Sequence, residues 1–152
     1  MKQHFFRLLI NLILLSALAI SCNSKPEKAT LTIYCTSDVH GTIYDYDLKR
    51  NHPNRSSLAN VSTAIKNARM QDSSNVIFLD NGDFLQGQPN DYYYNFIDTG
   101  VTNLTAEVMN YLGYDAASVG NHDIEAGHPV YDKVVHELNF PWLSANTVNT
   151  AT

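Results

Sequence analysis

Cysteine is nearly absent from this 152-residue sequence: only Cys22 and Cys35 occur. A disulfide-stapled scaffold is thereby excluded. Basic residues are sparse as well. Ten Lys and Arg stand against fifteen Asp and Glu, a formal net charge of −5. A chain that grips a phosphate backbone shows clustered Lys and Arg, so no nucleic-acid polymer is expected as a partner. A small anionic substrate stays compatible, provided that metal ions supply positive charge. No apolar run reaches membrane-spanning length, because Leu8 to Ile20 ends too soon. Internal repeats and low-complexity segments are missing. What is present is a 44% hydrophobic content, suited to one ordinary globular domain.

The short apolar run has another reading. Lys2 and Arg7 precede it, and Leu18-Ala19-Ile20-Ser21-Cys22 closes it. A positive n-region followed by a short h-region marks a secretory signal. A small residue directly before a Cys at that point resembles a bacterial lipobox. The resemblance implies a lipoprotein signal over residues 1–22, with Cys22 lipidated. A polar tether over 23–30 and a folded domain over 31–152 would follow. An ordinary cleaved signal peptide, with Cys22 incidental, is the alternative. If Cys22 carries lipid, Cys35 lacks a partner, and its apolar surroundings predict a small buried hydrophobe.

Strand and helix patterns alternate. Leu31 to Thr36 reads as a strand, rich in β-branched and aromatic residues. Tyr44 to Arg55 is polar and turn-rich. Ser56 or Ser57 suits the cap of a helix carrying Leu58, Val61, Ile65 and Ala68. Val76 to Leu79 suits a strand buried on both faces. Helices are expected over 91–96 and 103–112, the second stopped by Gly113. Ala116 to Val119 predicts a strand, Pro129 to Leu138 a helix, and Pro141 to Ala145 a fourth strand. This order predicts an α/β fold built from right-handed β-α-β units around a mostly parallel sheet. Such sheets bind ligands beyond the carboxyl ends of their strands.

Three motifs occupy those ends: Asp38-Val39-His40-Gly41, Asn81-Gly82-Asp83 and Gly120-Asn121-His122-Asp123. Together they offer carboxylate, imidazole and amide groups, the donor set for divalent metals. Taken singly, each of the first two also suits a plain turn. The ordered conjunction is far less easily accidental. Tyr92, Tyr93 and Tyr94 invite a nucleobase-stacking reading, but a helix that turns some rings into the core is the simpler expectation. His52, His128 and His136 match no ligand position and read as surface or helix residues.

D-x-H, then G-D, then G-N-H-D, each after a strand, resembles the calcineurin-like metallophosphoesterases. The strings Leu79 to Pro89, Val119 to Glu125 and Leu143-Ser144-Ala145-Asn146 resemble the secreted 5′-nucleotidase branch. Thr36 to Gly41, followed by Tyr44 to Asp47, is similar to the periplasmic 2′,3′-cyclic-nucleotide phosphodiesterase/3′-nucleotidases. The resemblance implies the N-terminal half of a four-layered α/β/β/α core. It also implies two divalent cations, such as manganese, zinc or cobalt. Asp38 and His40 would hold the first, Asp83 would bridge both, and Asn121 would bind the second. Metals so placed activate water and stabilise the charge of an in-line displacement. His122 would act on the leaving oxygen, not on a cation. Its acidic partner would be Glu125, with Asp123 as the competitor. A nucleotide or other small phosphoester would be the substrate. The location implied is the cell envelope of a Gram-negative bacterium, lipid-anchored, in the periplasm or at the outer membrane.

The family site also uses later histidines, including a G-H-x-H motif that this sequence does not contain. The expectation is therefore an N-terminal part of a longer hydrolase, inactive by itself. The alternative is a catalytically silent lipoprotein remnant with at most weak metal binding.

Overall fold

Four short strands stack in parallel, and their order follows the chain. The computed structural model describes residues 28–47 and 49–145, together with Gln3 and Arg7. The rest of the signal-like segment, Cys22 included, and Asn146 lie outside the described residues. The strands are β1 (Thr32–Thr36), β4 (Val76–Asp80), β5 (Ala116–Ser118) and β6 (Trp142–Leu143). They pair in the order β1-β4-β5-β6, every pair parallel. A two-residue hairpin, β2 (Tyr46–Asp47) with β3 (His52–Pro53), falls within the turn-rich segment.

Three helices form close to where the sequence placed them. In α1 (Leu58–Gln71), the Ser57 hydroxyl accepts from the Asn60 backbone N–H. That bond satisfies one of the orphan donors of the first turn. In α3 (Leu104–Leu112), Asn103 does the same for Ala106, and Gly113 ends the helix at φ +70°. α5 (His128–Glu137) has a proline in its first turn, where the missing N–H costs nothing. Between β4 and α3 the chain makes one α-turn, α2 (Pro89–Tyr92), then widens into a π-turn over Tyr93–Ile97.

Right-handed crossovers that always step the same way place their helices on one face of the sheet. Tyr34, Phe78, Ala117 and Trp142 share that face through their register. They pack with Leu58, Ile65, Met109, Val130 and Val134 in one core. Full burial of Phe78 or Met109 contributes about 1.5–3 kcal/mol each. The opposite face is bare among the described residues: Ile33 and Leu143 are each 57% exposed. Two expectations change accordingly. β4 is fully buried only at Phe78 and Asp80, not on both faces. Cys35 lies on the bare face and is exposed, not buried.

The tyrosine run also departs from expectation. Tyr92 is 61% exposed and Tyr93 is exposed too, whereas Asn95 is buried. The Asn95 amide donates to the Leu85 carbonyl at 2.7 Å and accepts from the Asn103 amide at 2.8 Å. This polar bridge takes the inward position in the widened turn, and two of the rings face outward.

Candidate metal centre

The three motifs leave β1, β4 and β5 side by side, and their backbones interlock. Asp38 N–H donates to the Gly82 carbonyl at 3.0 Å, and His40 N–H to the Asp83 carbonyl at 2.9 Å. Asp38, His40 and Asp83 have φ values of +55°, +48° and +64°. Left-handed backbone costs a non-glycine residue about 1–2 kcal/mol. Three such residues at one edge of the sheet are the pattern of strain held for function. Glycine is required where the loops cross. A Cβ on Gly82 would stand 2.5 Å from the Gly120 nitrogen, and one on Gly120 would collide with the Asp83 carboxylate.

His40, Asp83 and His122 converge. One ligand atom from each lies within 4.8 Å of the others, and the two imidazoles meet edge to face at 5.3 Å. Both rings are oriented from behind. His40 Nδ1 donates to the Gln86 carbonyl at 2.6 Å. His122 Nδ1 donates to the Glu125 carboxylate at 2.8 Å. A ring committed at Nδ1 keeps Nε2 for a cation or a substrate, the usual support of a metal-site histidine. Asp83 Oδ1 accepts the His122 backbone N–H at 2.8 Å. The residues present therefore fit a divalent cation. Asp38 is exposed, with Oδ1 3.9 Å from His40 Nε2. Asn121 opens the short helix α4 (Asn121–Glu125) and is also exposed.

The two acids proposed as partners of His122 part company. Glu125, one helical turn on, carries the bond to the ring. That bond raises the His122 pKa above the ordinary imidazole value, against a smaller desolvation effect. Asp123 is fully buried, and its carboxylate accepts four backbone N–H groups instead.

The calcineurin-like phosphoesterase family matches residues 31–151. The chain belongs to that family. It is 30% identical to the 2′,3′-cyclic-nucleotide 2′-phosphodiesterase/3′-nucleotidase of Yersinia enterocolitica, covering 97% of this chain and 23% of the relative. It is 34% identical to mouse 5′-nucleotidase, covering 76% of this chain and 20% of that protein. The crystal structure of calcineurin-like phosphoesterase YfkN from Bacillus subtilis superposes with a TM-score of 0.65 at 32% identity. That match covers 74% of this chain and 36% of that one. The chain thus spans about a quarter or less of the two curated relatives, over their N-terminal part. The relatives are named as nucleotidases and cyclic-nucleotide phosphodiesterases, so this chain comes from a family of hydrolytic enzymes.

Behind the centre, two buried carboxylates escaped the sequence reading. Asp80 accepts from the Thr36 hydroxyl at 2.6 Å and from Gly82 N–H at 2.8 Å. Asp91 accepts from the Thr105 hydroxyl at 2.9 Å and sits against Gly41. Gln86 also went unnoticed, because it holds His40 through its carbonyl and its side chain gives no signal. Asp91 is detectable in hindsight only as an acid inside an otherwise uncharged helical segment.

Burial pushes both carboxyls up to about 6. For Asp91, a raised folded-state pKa means that the native state binds the proton more tightly than the unfolded chain does. Its contribution is complete below 3.8 and is lost as pH rises through about 6. Across that window the wild type should lose stability relative to Asp91→Asn, on the order of 2–3 kcal/mol. Chemical denaturation of both at pH 4.5 and pH 7.5 checks this. A stability difference that does not change with pH contradicts it.

Proposed function

We propose that this phosphoesterase chain carries the first part of the catalytic centre of a metal-dependent hydrolase of nucleotides. The substrates would be 2′,3′-cyclic nucleotides or 3′- or 5′-nucleotides. The convergence of His40, Asp83 and His122 at three parallel strand ends is the observation that supports this reading most. Asp38, His40 and Asp83 would hold one divalent cation, with Asp83 and Asn121 reaching a second. Such cations supply an activated water and charge stabilisation to phosphoester hydrolysis. His122 would face the substrate, and Glu125 would keep its imidazole protonated for the leaving oxygen. The test is hydrolysis of 2′,3′-cyclic AMP, 3′-AMP and 5′-AMP with manganese, zinc or cobalt. The 152-residue chain should bind metal through Asp83 and turn over little. A form extended by the remaining ligands should hydrolyse at least one of the three substrates. A chain that binds no metal, with an extended form inert on every substrate, would overturn the reading in favour of a silent lipoprotein.

We further propose that Cys22 is lipidated and tethers the domain to a membrane. The support is the apolar run ending in Ser21-Cys22. No helix among the described residues is long and apolar enough to cross a membrane. A fatty-acid analogue fed to expressing cells should label the wild type and not Cys22→Ser. Equal labelling of both proteins would sink the idea.

A further inference from the structure

Asp83 stands at the middle of the candidate centre, in a left-handed backbone conformation. Its φ is +64°. The residue that meets it comes from 40 positions further along the chain. Asp123 Oδ2 accepts Asp83 N–H at 2.9 Å and Gly120 N–H at 2.9 Å. Asp123 Oδ1 accepts Phe84 N–H at 2.9 Å and Leu85 N–H at 3.0 Å. Asp123 is 0% exposed, and no salt bridge among the described residues includes its side chain. Four amide dipoles solvate this charge in place of water, two to each oxygen.

The bracing runs in both directions. Asp123, from the helix, holds the Asp83 loop, and Asp83 Oδ1 in return accepts the His122 backbone N–H at 2.8 Å. Oδ1 of Asp83 is thereby engaged, and a carboxylate oxygen of Asp83 lies within 4.8 Å of ring nitrogens of His40 and His122. The gap between the two loops is tight enough that Gly82 and Gly120 have no room for a Cβ. A carboxylate with four convergent acceptor bonds sets that gap. The spacing of Asp83 from His122 then follows from it.

We propose that Asp123 is a positioning residue that clamps the Asp83 loop onto the Gly120–His122 loop and so sets the geometry with which Asp83 meets a divalent cation. It touches neither cation nor substrate. The proposal rests on Asp83 being a metal ligand. An amide in place of the carboxylate keeps the volume but turns an NH₂ group toward two N–H donors. Half of the clamp then becomes repulsive, and the loop must open.

The experiment is a cobalt titration of the full chain, followed by visible absorption, on wild type, Asp123→Asn and Val134→Ala. Val134 is a core residue on α5, 1% exposed, whose truncation lowers stability away from the centre. Asp123→Asn should bind cobalt about 10–100-fold more weakly, the range seen when a ligand loses its supporting partner. Its absorption band should also shift or broaden. Val134→Ala should melt earlier yet keep the wild-type affinity and band. Equal affinity and an unchanged band in Asp123→Asn would overturn the proposal. So would an equal loss in both variants, which would mark a purely structural role. Amide hydrogen exchange on the wild type decides the matter if Asp123→Asn does not fold. Asp83, Phe84, Leu85 and Gly120 should be protected although they lie outside the sheet ladders, and exchange at exposed-loop rates would refute the clamp. If the wild type binds no cobalt, the metal reading of Asp83 fails, and the same four amides still test the clamp.

Discussion

His122→Ala should keep its metal and lose turnover, by about 10²–10⁴-fold, in a form of the enzyme that carries the remaining ligands. The reason lies in how the ring is held. Its Nδ1 is bonded to Glu125 at 2.8 Å, and that bond raises the pKa. In the proposed reaction a ring so supported would act as a proton donor. The loss should be greatest for esters with poor leaving groups, such as nucleotides, because these need a proton as the bond breaks. Activated aryl phosphates should suffer least. Metal analysis of the purified variant and rates on a leaving-group series provide the check. The structure also makes the competing outcome concrete. One His122 ligand atom lies within 4.8 Å of those of His40 and Asp83. Loss of metal together with a uniform loss of rate would show that His122 is a ligand instead.

Asp83→Asn should have the opposite signature: the fold is kept and the metal is lost. The amide oxygen can still accept the His122 backbone N–H, so the loop crossing survives. The negative charge is gone, however. If Asp83 lies between two cations, an amide offsets their mutual repulsion poorly. Metal affinity should fall by more than the roughly 10–100-fold that an outer-shell change costs, and turnover should fall with it. Thermal melting and bound metal per chain, measured on the same sample, separate the two effects. Full metal retention in a folded variant would remove Asp83 from the ligand set.

Much of this was legible in the sequence because it is local. Helical spacing from Leu58 onward, a serine cap at Ser56 or Ser57 and the stop at Gly113 are short-range chemistry; the helix and the stop formed as read, and the structure puts the cap at Ser57. The strand ends and the three motifs belong to the same class. Polar atoms at a strand exit announce themselves within five residues. The relative order of the motifs was enough to indicate the family, which the match over residues 31–151 establishes.

What stayed hidden depends on partners far away in the chain. The choice between Glu125 and Asp123 could not be made from sequence, since both lie within one turn of His122. The fold turns Asp123 inward, where four N–H groups meet it, and leaves Glu125 beside the ring. The exposure of Cys35 and the incomplete burial of one face of β4 likewise follow from where the crossovers lie, not from hydrophobicity. The outward Tyr92 and Tyr93 follow from a buried amide bridge between Asn95, Leu85 and Asn103. The sequence by itself determined which elements form and which chemical groups stand at their ends, because periodicity and capping act over a few residues. Only the tertiary structure decided which of those groups meet, because a carboxylate aims where its hydrogen-bond donors are. For Asp83 and Asp123, those donors lie about 40 residues apart along the chain.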